Sequence, residues 1–559
     1  MKSRTSCFNR TVFFKDITRF FPVWALYTIG LLLCFVIFQQ LTIGSEFPSK
    51  AQDLGDYIQI FSVINCGYAL VCAQLLFGDL YNSRMCNALH ALPMRRETWF
   101  ITHVLSGLCF FVIPNLLFTL LTLPLLGQAA FAAGYFFLGV LLPYLFFFGV
   151  AVFSVMCAGN RFALALVYGI INLLALLVGW ILQSLYDPLL YGITLETGFL
   201  SVFCPLVEIA STEHFTVCRV DALGNFQFET AGFGYLFICG AVGILFGWLA
   251  LLLYRRRHLE SAGDFIVVKR LAPVFLILYT LCAGTLLYLF FQIFLGTQTG
   301  FLFFYIGLLI GYFTGQMLLH RTPNIFKKRV FFGAAAFALA MLLSFGITLL
   351  DPLGITRYIP AGDQVASVEI SNFARYHGAV TFILTDPEEI DTIRDIHAAA
   401  IAEGETPSSS STFTLVYHLK NGTQVKRTYE IHQGEQTETL LRPIFSTPKA
   451  IFFAELDTAE AYAEYLQTIY VERGDGYKLT GEQLVEFLQA VLLDCAEGTM
   501  VQDGTFHRGK ECVYLSFELP APLPEFGQAD ISYWFYIFSD SKNSYRWLQD
   551  NGYLTGTAP

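Results

Sequence analysis

Residues 232–257 read GFGYLFICGAVGILFGWLALLLYRRR. From 232 to 254 the stretch holds no Asp, Glu, Lys, Arg or His, and Arg255, Arg256 and Arg257 close it. The hydrocarbon core of a bilayer takes roughly 20 apolar residues per helix, so the spacing predicts a membrane span over 232–254. Lys/Arg excess marks the cytoplasmic side of a span, so the arginine run predicts its inner end. Working outward, similar apolar runs lie at 22–42, 57–78, 100–126, 131–157 and 162–183 before it, and at 272–295, 301–320 and 330–350 after it. The gaps that alternate to one side carry Lys2, Arg4, Arg10, Lys15, Arg19, Arg84, Arg95, Arg96, Arg161, Arg255, Arg256, Arg257, Lys269, Arg270, Arg321, Lys327, Lys328 and Arg329. The other side of this half shows only Lys50 and Arg219. The expected fold is an α-helical polytopic membrane protein of about nine transmembrane helices plus a C-terminal soluble α+β domain. Its N-terminus is expected in the cytoplasm and residues 351–559 outside, in the cell membrane.

Charge divides at the same place. Residues 1–350 hold 20 Lys/Arg against 14 Asp/Glu, whereas 351–559 hold 14 against 30. An acidic outer domain argues against nucleic acid as a partner, because such binding needs a basic footprint. The N-terminal apolar run is too long for the h-region of a cleavable signal peptide. Most of the thirteen cysteines fall inside spans and read as small buried apolar groups. Cys204 with Cys218, and Cys495 with Cys512, are the pairs open to a disulfide on the outer side. No CxxC spacing occurs, so zinc and redox motifs of that kind are absent.

Residues 5–21 mix Phe8, Val12, Phe13, Ile17 and Phe20 with basic residues, at a spacing that suits an amphipathic helix on the inner membrane surface. The alternative is a plain basic flank of the first span. Between the second and third spans, Leu80, Met85, Leu89 and Leu92 could line one side of a short helix before Arg95 and Arg96. The outer loop 184–231 contains Phe199–Ile209, apolar, too short to cross and broken by Pro205. It reads as re-entrant or interfacial, since irregular backbone at membrane depth survives only buried in protein or lining a cavity. Past a Pro/Gly-rich junction at 351–363 the pattern becomes α+β. Strands are predicted at Val365–Ile370, Ala379–Leu384, Phe413–Leu419, Gln424–Ile431, Val513–Leu519 and Ile531–Phe538. Asn421-Gly422 is a hairpin signal. Helices are predicted from Asp386 to about Ala402 and over Leu479–Cys495. A strand–strand–helix order is expected twice, without a sharp sequence repeat.

No GxxxxGK[ST] loop exists, and no Asp, Glu, Lys or Arg lies deep in a span. The polar groups inside spans are neutral, among them Asn65, Asn115, Asn172 and Gln316, and interhelical hydrogen bonding is their plain reading. A transporter of this composition needs another polypeptide for energy. Gly243 with Gly247, and Gly307, Gly311 and Gly315, stand at four-residue spacing and predict close helix packing, within the chain or between two copies. No HExxH or GxSxG occurs, and His418 and His432, which flank the hairpin, suggest no catalysis. Catalytic, metal and cofactor sites are therefore not expected.

The segments FFKDITRFFPVWALYTIG (13–30), ALPMRRETWFITHVLSG (91–107) and LYRRRHLESAGD (253–264) resemble bacterial ABC type-2 transporter permeases. More narrowly they resemble a subset with additional spans and an extracytoplasmic C-terminal domain. The resemblance covers residues 1–264, the six-span core; 265–350 would be three additional spans and 351–559 the outer α+β domain. It implies that the N-terminal helix and the loop after the second span contact cytoplasmic ABC ATPase subunits. The coupling candidates are then Arg84, Arg95, Arg96 and Glu97, within Asn82–Trp99. It also implies an outer gate near Phe199, Phe203, Pro205 and Glu208, and a second permease as partner in membrane lipid. The expected function is the membrane subunit of an ATP-driven exporter. The alternative is a membrane-anchored sensor whose outer domain detects a ligand.

Overall fold

The computed structural model describes residues 8–41, 47–91, 94–126, 130–212, 215–220, 226–257, 263–295, 300–374, 378–404, 412–431, 436–454, 456–471, 477–502, 510–518 and 532–554. The chain forms two compact units, one of Met1–Leu185 with Glu196–Ser344 and one of Tyr186–Leu195 with Phe345–Pro559. The boundary expected at 350/351 thus falls a few residues earlier. The second unit also takes in a short stretch of the loop expected at 184–231. The three additional helices lie in the first unit with the other six, except that the last residues of the third, beyond Ser344, fall in the second unit.

In the first unit, α1 (Arg10–Arg19) and α2 (Phe21–Leu41) are followed by α3 (Phe47–Leu76), α4 (Ser83–His90), α5 (Arg96–Leu126), α6 (Ala130–Cys157) and α7 (Arg161–Ile181). Then come α8 (Pro205–Ser211), a hairpin of β1 (Thr216–Val220) and β2 (Phe226–Thr230), α9 (Phe233–Arg256), α10 (Ala272–Leu295), α11 (Gly300–His320) and α12 (Lys328–Leu350). Among the described residues nine helices, α2, α3, α5–α7 and α9–α12, are long and apolar enough to cross a membrane. α3 begins at Phe47, ahead of the apolar run expected from 57, because Lys50, Asp53 and Asp56 continue the helix beyond that run.

α6 is the axis of the bundle, with Tyr144, Phe147, Val150 and Ala151 fully buried. Its contact with α9 is set by glycine. A Cβ on Gly243 would overlap the Leu145 carbonyl and the Phe146 backbone, and one on Gly149 would overlap the Gly243 carbonyl. At Gly247, by contrast, nothing lies within 4 Å of an added Cβ. Gly307 and Gly311 pack on Gly284, Ala283 and Thr280 of α10, and Gly315 on Leu276 and Tyr279. We therefore expect Gly243→Val to destabilise the protein by about 2 kcal/mol, while Gly247→Val changes little. Thermal unfolding of the two purified variants checks this, and equal midpoints would remove the close α6–α9 crossing.

The second unit contains a tandem topological repeat. Its first lobe runs β3 (Val365–Ala374), β4 (Gly378–Leu384), α13 (Pro387–Glu403), β5 (Thr412–Leu419) and β6 (Gln424–Glu430), with sheet order β4-β3-β5-β6. After α14 (Gln436–Phe445), α15 (Pro448–Phe452) and α16 (Ala459–Leu466), the second lobe runs β7 (Ile469–Val471), β8 (Tyr477–Leu479), α17 (Gly481–Ala496), β9 (Cys512–Glu518) and β10 (Ser532–Phe538). Its order, β10-β9-β7-β8, repeats the first read in reverse, and all pairings are antiparallel. α18 (Lys542–Asp550) follows.

Asp386 caps α13 by accepting from the Glu388 amide. The α18 N-terminus is capped across the fold. Buried Asp494 accepts from the amides of Asn543 and Ser544 and from both their side chains, so the orphan donors of the first turn are met in the core. The loop stretch Tyr186–Leu195 belongs to the first lobe's surface. The Tyr191 hydroxyl donates to the carbonyls of Ala400 and Gly404, and the Thr428 amide donates to the Gly192 carbonyl. Gly192 has φ +76°, and a Cβ there would enter the Tyr429 ring, so glycine is required. Cys204, Cys495 and Cys512 are free thiols, and neither proposed disulfide forms.

Candidate functional site

The amphipathic start of the chain becomes α1, opened by Asn9, whose carboxamide accepts from the amides of Thr11 and Val12. Its inward face carries Val12, Phe13, Ile17 and Phe20, and also Asp16, which is 4% exposed. A lone carboxylate on an apolar face needs compensation, and α5 supplies it. His103 Nδ1 lies 2.7 Å from Asp16 Oδ2, close to it but not aligned as a hydrogen bond. The Ser106 hydroxyl donates to the same oxygen at 2.9 Å. Further along, the Asn9 amide donates to Thr102 Oγ1, and the Asn9 carboxamide to Met94 Sδ. Trp99 stands edge-on to His103. α1 is thereby locked to the first three turns of α5.

The same end of α5 is tied to the end of α9. Arg96 donates to the carbonyls of Arg257 (3.1 Å) and Arg255 (3.5 Å), and Glu97 pairs with Arg255 at 2.9 Å. A guanidinium on the last carbonyls of a helix satisfies orphan acceptors and opposes the negative end of the helix dipole. Arg257 turns inward instead, is 7% exposed, and donates to the carbonyls of Val155 and Met156 in the last turn of α6. Burial pulls its pKa below the ordinary arginine value, yet an arginine there stays charged. Trp99 and Phe100 stack on Tyr254 of α9 beneath these contacts.

The coupling candidates therefore separate. Arg96 and Glu97 are joined to α9, whereas Arg95 is exposed and Arg84 is exposed on α4. The helix expected after the second span exists. Asn82 opens it, accepting from the amides of Arg84 and Met85. Its anchors are Leu80 and Cys86, both buried. Met85, expected on the apolar side, is 43% exposed, and the side chains of Leu89 and Leu92 lie outside the described residues. Asp79, before α4, pairs with Arg19 of α1 at 3.5 Å.

The outer-loop candidates fall on a broken helix. A 3-10 segment, Gly198–Phe203, meets α8 at Cys204, with Pro205 in the first turn. Glu208 accepts from the Ser201 hydroxyl at 2.5 Å and so closes the corner. Cys204 Sγ donates to the Asn172 carbonyl of α7, and Gln59 of α3 donates to the Thr212 carbonyl. Pro205 and Ile209 are buried, while Phe199 and Phe203 are 65% and 68% exposed. Of the span amides, Asn65 and Asn115 meet across helices at the Tyr27 hydroxyl, while Asn172 donates within its own helix.

Among the described residues no group of three His, Cys, Asp or Glu could hold a metal ion. His418 lies 3.6 Å from Glu369; His432 lies outside the described residues. No protein-family model, curated protein or solved structure matches the chain. Asp16, His103, Ser106 and the cap formed by Arg96 are not among the residues expected from the sequence. Asp16 carried one signal: it alone is acidic on a face otherwise made of Val12, Phe13, Ile17 and Phe20.

Proposed function

We propose that the chain is the membrane-spanning permease subunit of an ATP-driven ABC transporter, working as an exporter with a second permease and with cytoplasmic ATPase subunits. The observation that carries the reading is the braced junction of α1, α4 and the facing ends of α5 and α9. Force transmission needs a rigid contact, and this one is held by an ion pair, a helix-capping arginine and stacked aromatics. It also needs a polar exposed surface for a soluble partner, which Arg84 and Arg95 provide. Orientation N-in follows from the basic residues. The corner at Cys204 and Pro205 would then sit at the outer exit.

Because Arg96 has an internal duty, the discriminating substitution is Arg84→Glu with Arg95→Glu. It should lower recovery of a co-expressed ABC ATPase subunit by about tenfold in co-purification, leaving insertion intact; Lys at both positions should retain recovery. Equal recovery with the Glu pair sinks the coupling role. A second reading, ligand sensing by the outer unit, draws on a cleft of about 770 Å³ bordered by Phe382, Ile383, Lys449 and Asp457.

A further inference from the structure

At the basic end of α11 and α12 lies a cleft of about 760 Å³. Its polar lining is Tyr312, Gln316 and His320 of α11, Thr322, Asn324 and Lys327 of the connection, and Arg329 of α12. Among the described residues no carboxylate lines it. The acid that approaches this connection, Asp264, is engaged by Arg321 outside the cleft. Lys327 and Arg329 are exposed, and among the described residues no carboxylate is paired with either at the opening. α12 starts at Lys328, which adds the partial positive charge of a helix N-terminus. The cleft is therefore selective for an anion.

Its other wall is apolar. Val330 and Phe332 continue the lining along α12, and Phe332 is 79% exposed. α12 is the least buried of the nine long apolar helices. A free anion would gain nothing from that wall, whereas an amphiphile would use both parts. We propose that this cleft binds an anionic phospholipid, its phosphate between Lys327 and Arg329 and its acyl chains along the exposed faces of α11 and α12. Basic pockets between spans at the cytoplasmic face suit such headgroups. The site does not depend on ATPase coupling; it rests only on α11 and α12 being in a bilayer.

The test uses the full chain reconstituted in lipid nanodiscs, whose assembly reports membrane embedding independently of lipid preference. Lipids retained after release are counted by native mass spectrometry with equimolar phosphatidylglycerol and phosphatidylcholine. The wild type should retain phosphatidylglycerol in excess. Lys327→Gln and Arg329→Gln should each cut the preference about fivefold, and Arg270→Gln, a basic change outside the cleft, should leave it unchanged. Using the single variants keeps the test valid if the double variant does not fold. Equal retention of the two lipids by the wild type overturns the proposal. So does an undiminished preference in both variants, or displacement of the lipid by millimolar inorganic phosphate, which would make a free anion the ligand.

Discussion

Acidification from pH 7 to pH 4 is expected to destabilise the first lobe of the second unit by roughly 3 kcal/mol, through one residue, His397. Its ring is fully buried, with Nδ1 3.0 Å from the Tyr417 hydroxyl and Nε2 2.8 Å from the Tyr429 hydroxyl. Neutral imidazole has one donor and one acceptor, so one tyrosine accepts from it while the other donates to it. Protonation would turn both nitrogens into donors, and one hydroxyl would have to reverse. Burial, reinforced by the Arg427 charge, brings the pKa down from 6.5 to about 4. The sign follows. Above 6.5 the ring is neutral folded or unfolded, and stability is complete. Between 6.5 and 4 the unfolded chain takes a proton that the folded lobe refuses, so stability falls with pH. Below about 4 both take it and the loss levels off. Hydrogen-exchange protection of Thr412–Leu419 and Gln424–Glu430 in the full chain should follow this window. His397→Gln, which keeps a donor and an acceptor without titrating, should flatten it; an equal pH dependence in that variant would assign the effect elsewhere.

His397 also shows where sequence reading stops. The helix from Asp386 and the strands around Asn421-Gly422 are legible, because a cap, a proline in the first turn and a turn dipeptide are local signals. That the helix lays His397 between two strand tyrosines is a tertiary fact. Span ends are legible within a few residues for the same local reason, apart from the polar start of α3. β7 and β8 are three residues each, too short for alternation to register. The repeat of one topology in both lobes lies in pairing order, which leaves no period in the residues. Gly243 and Gly247 look alike in a four-residue spacing, and only the crossing of α6 shows that one is obligatory. The segment Asn82–Trp99 stands out by charge and helical spacing, but its sequence alone does not separate Arg96 and Glu97, joined to α9, from Arg84 and Arg95.

Replacing Asp16 with alanine should release α1 from α5, at a local cost of about 1–3 kcal/mol, the range for leaving a buried polar group without its partner. His103 is 5% exposed and would keep its place without its carboxylate, and Ser106 would lose its acceptor for the contact that spans 90 residues. Of Arg10–Arg19 only Asp16 is fully buried, and the remaining hold on α5 comes from half-buried Val12, Phe13 and Ile17 and from the Asn9 contacts. Lys15 and Arg19 are exposed on the helix surface but protected from trypsin while the backbone stays helical. In the Asp16→Ala protein, cleavage after Arg10, Lys15 and Arg19 should accelerate at least tenfold, the population change equivalent to about 1.4 kcal/mol. Asp16→Asn, which still accepts from Ser106, should fall between. If the junction transmits force, the alanine variant should also lose cargo-stimulated ATP hydrolysis by the partner subunits while still binding them through Arg84 and Arg95. Release of α1 with stimulation intact would confine Asp16 to a structural role and move the coupling path to α4 and α5. Unaltered tryptic protection would show that α1 is held by its apolar residues alone, and the buried pair would then have to be explained by something other than attachment.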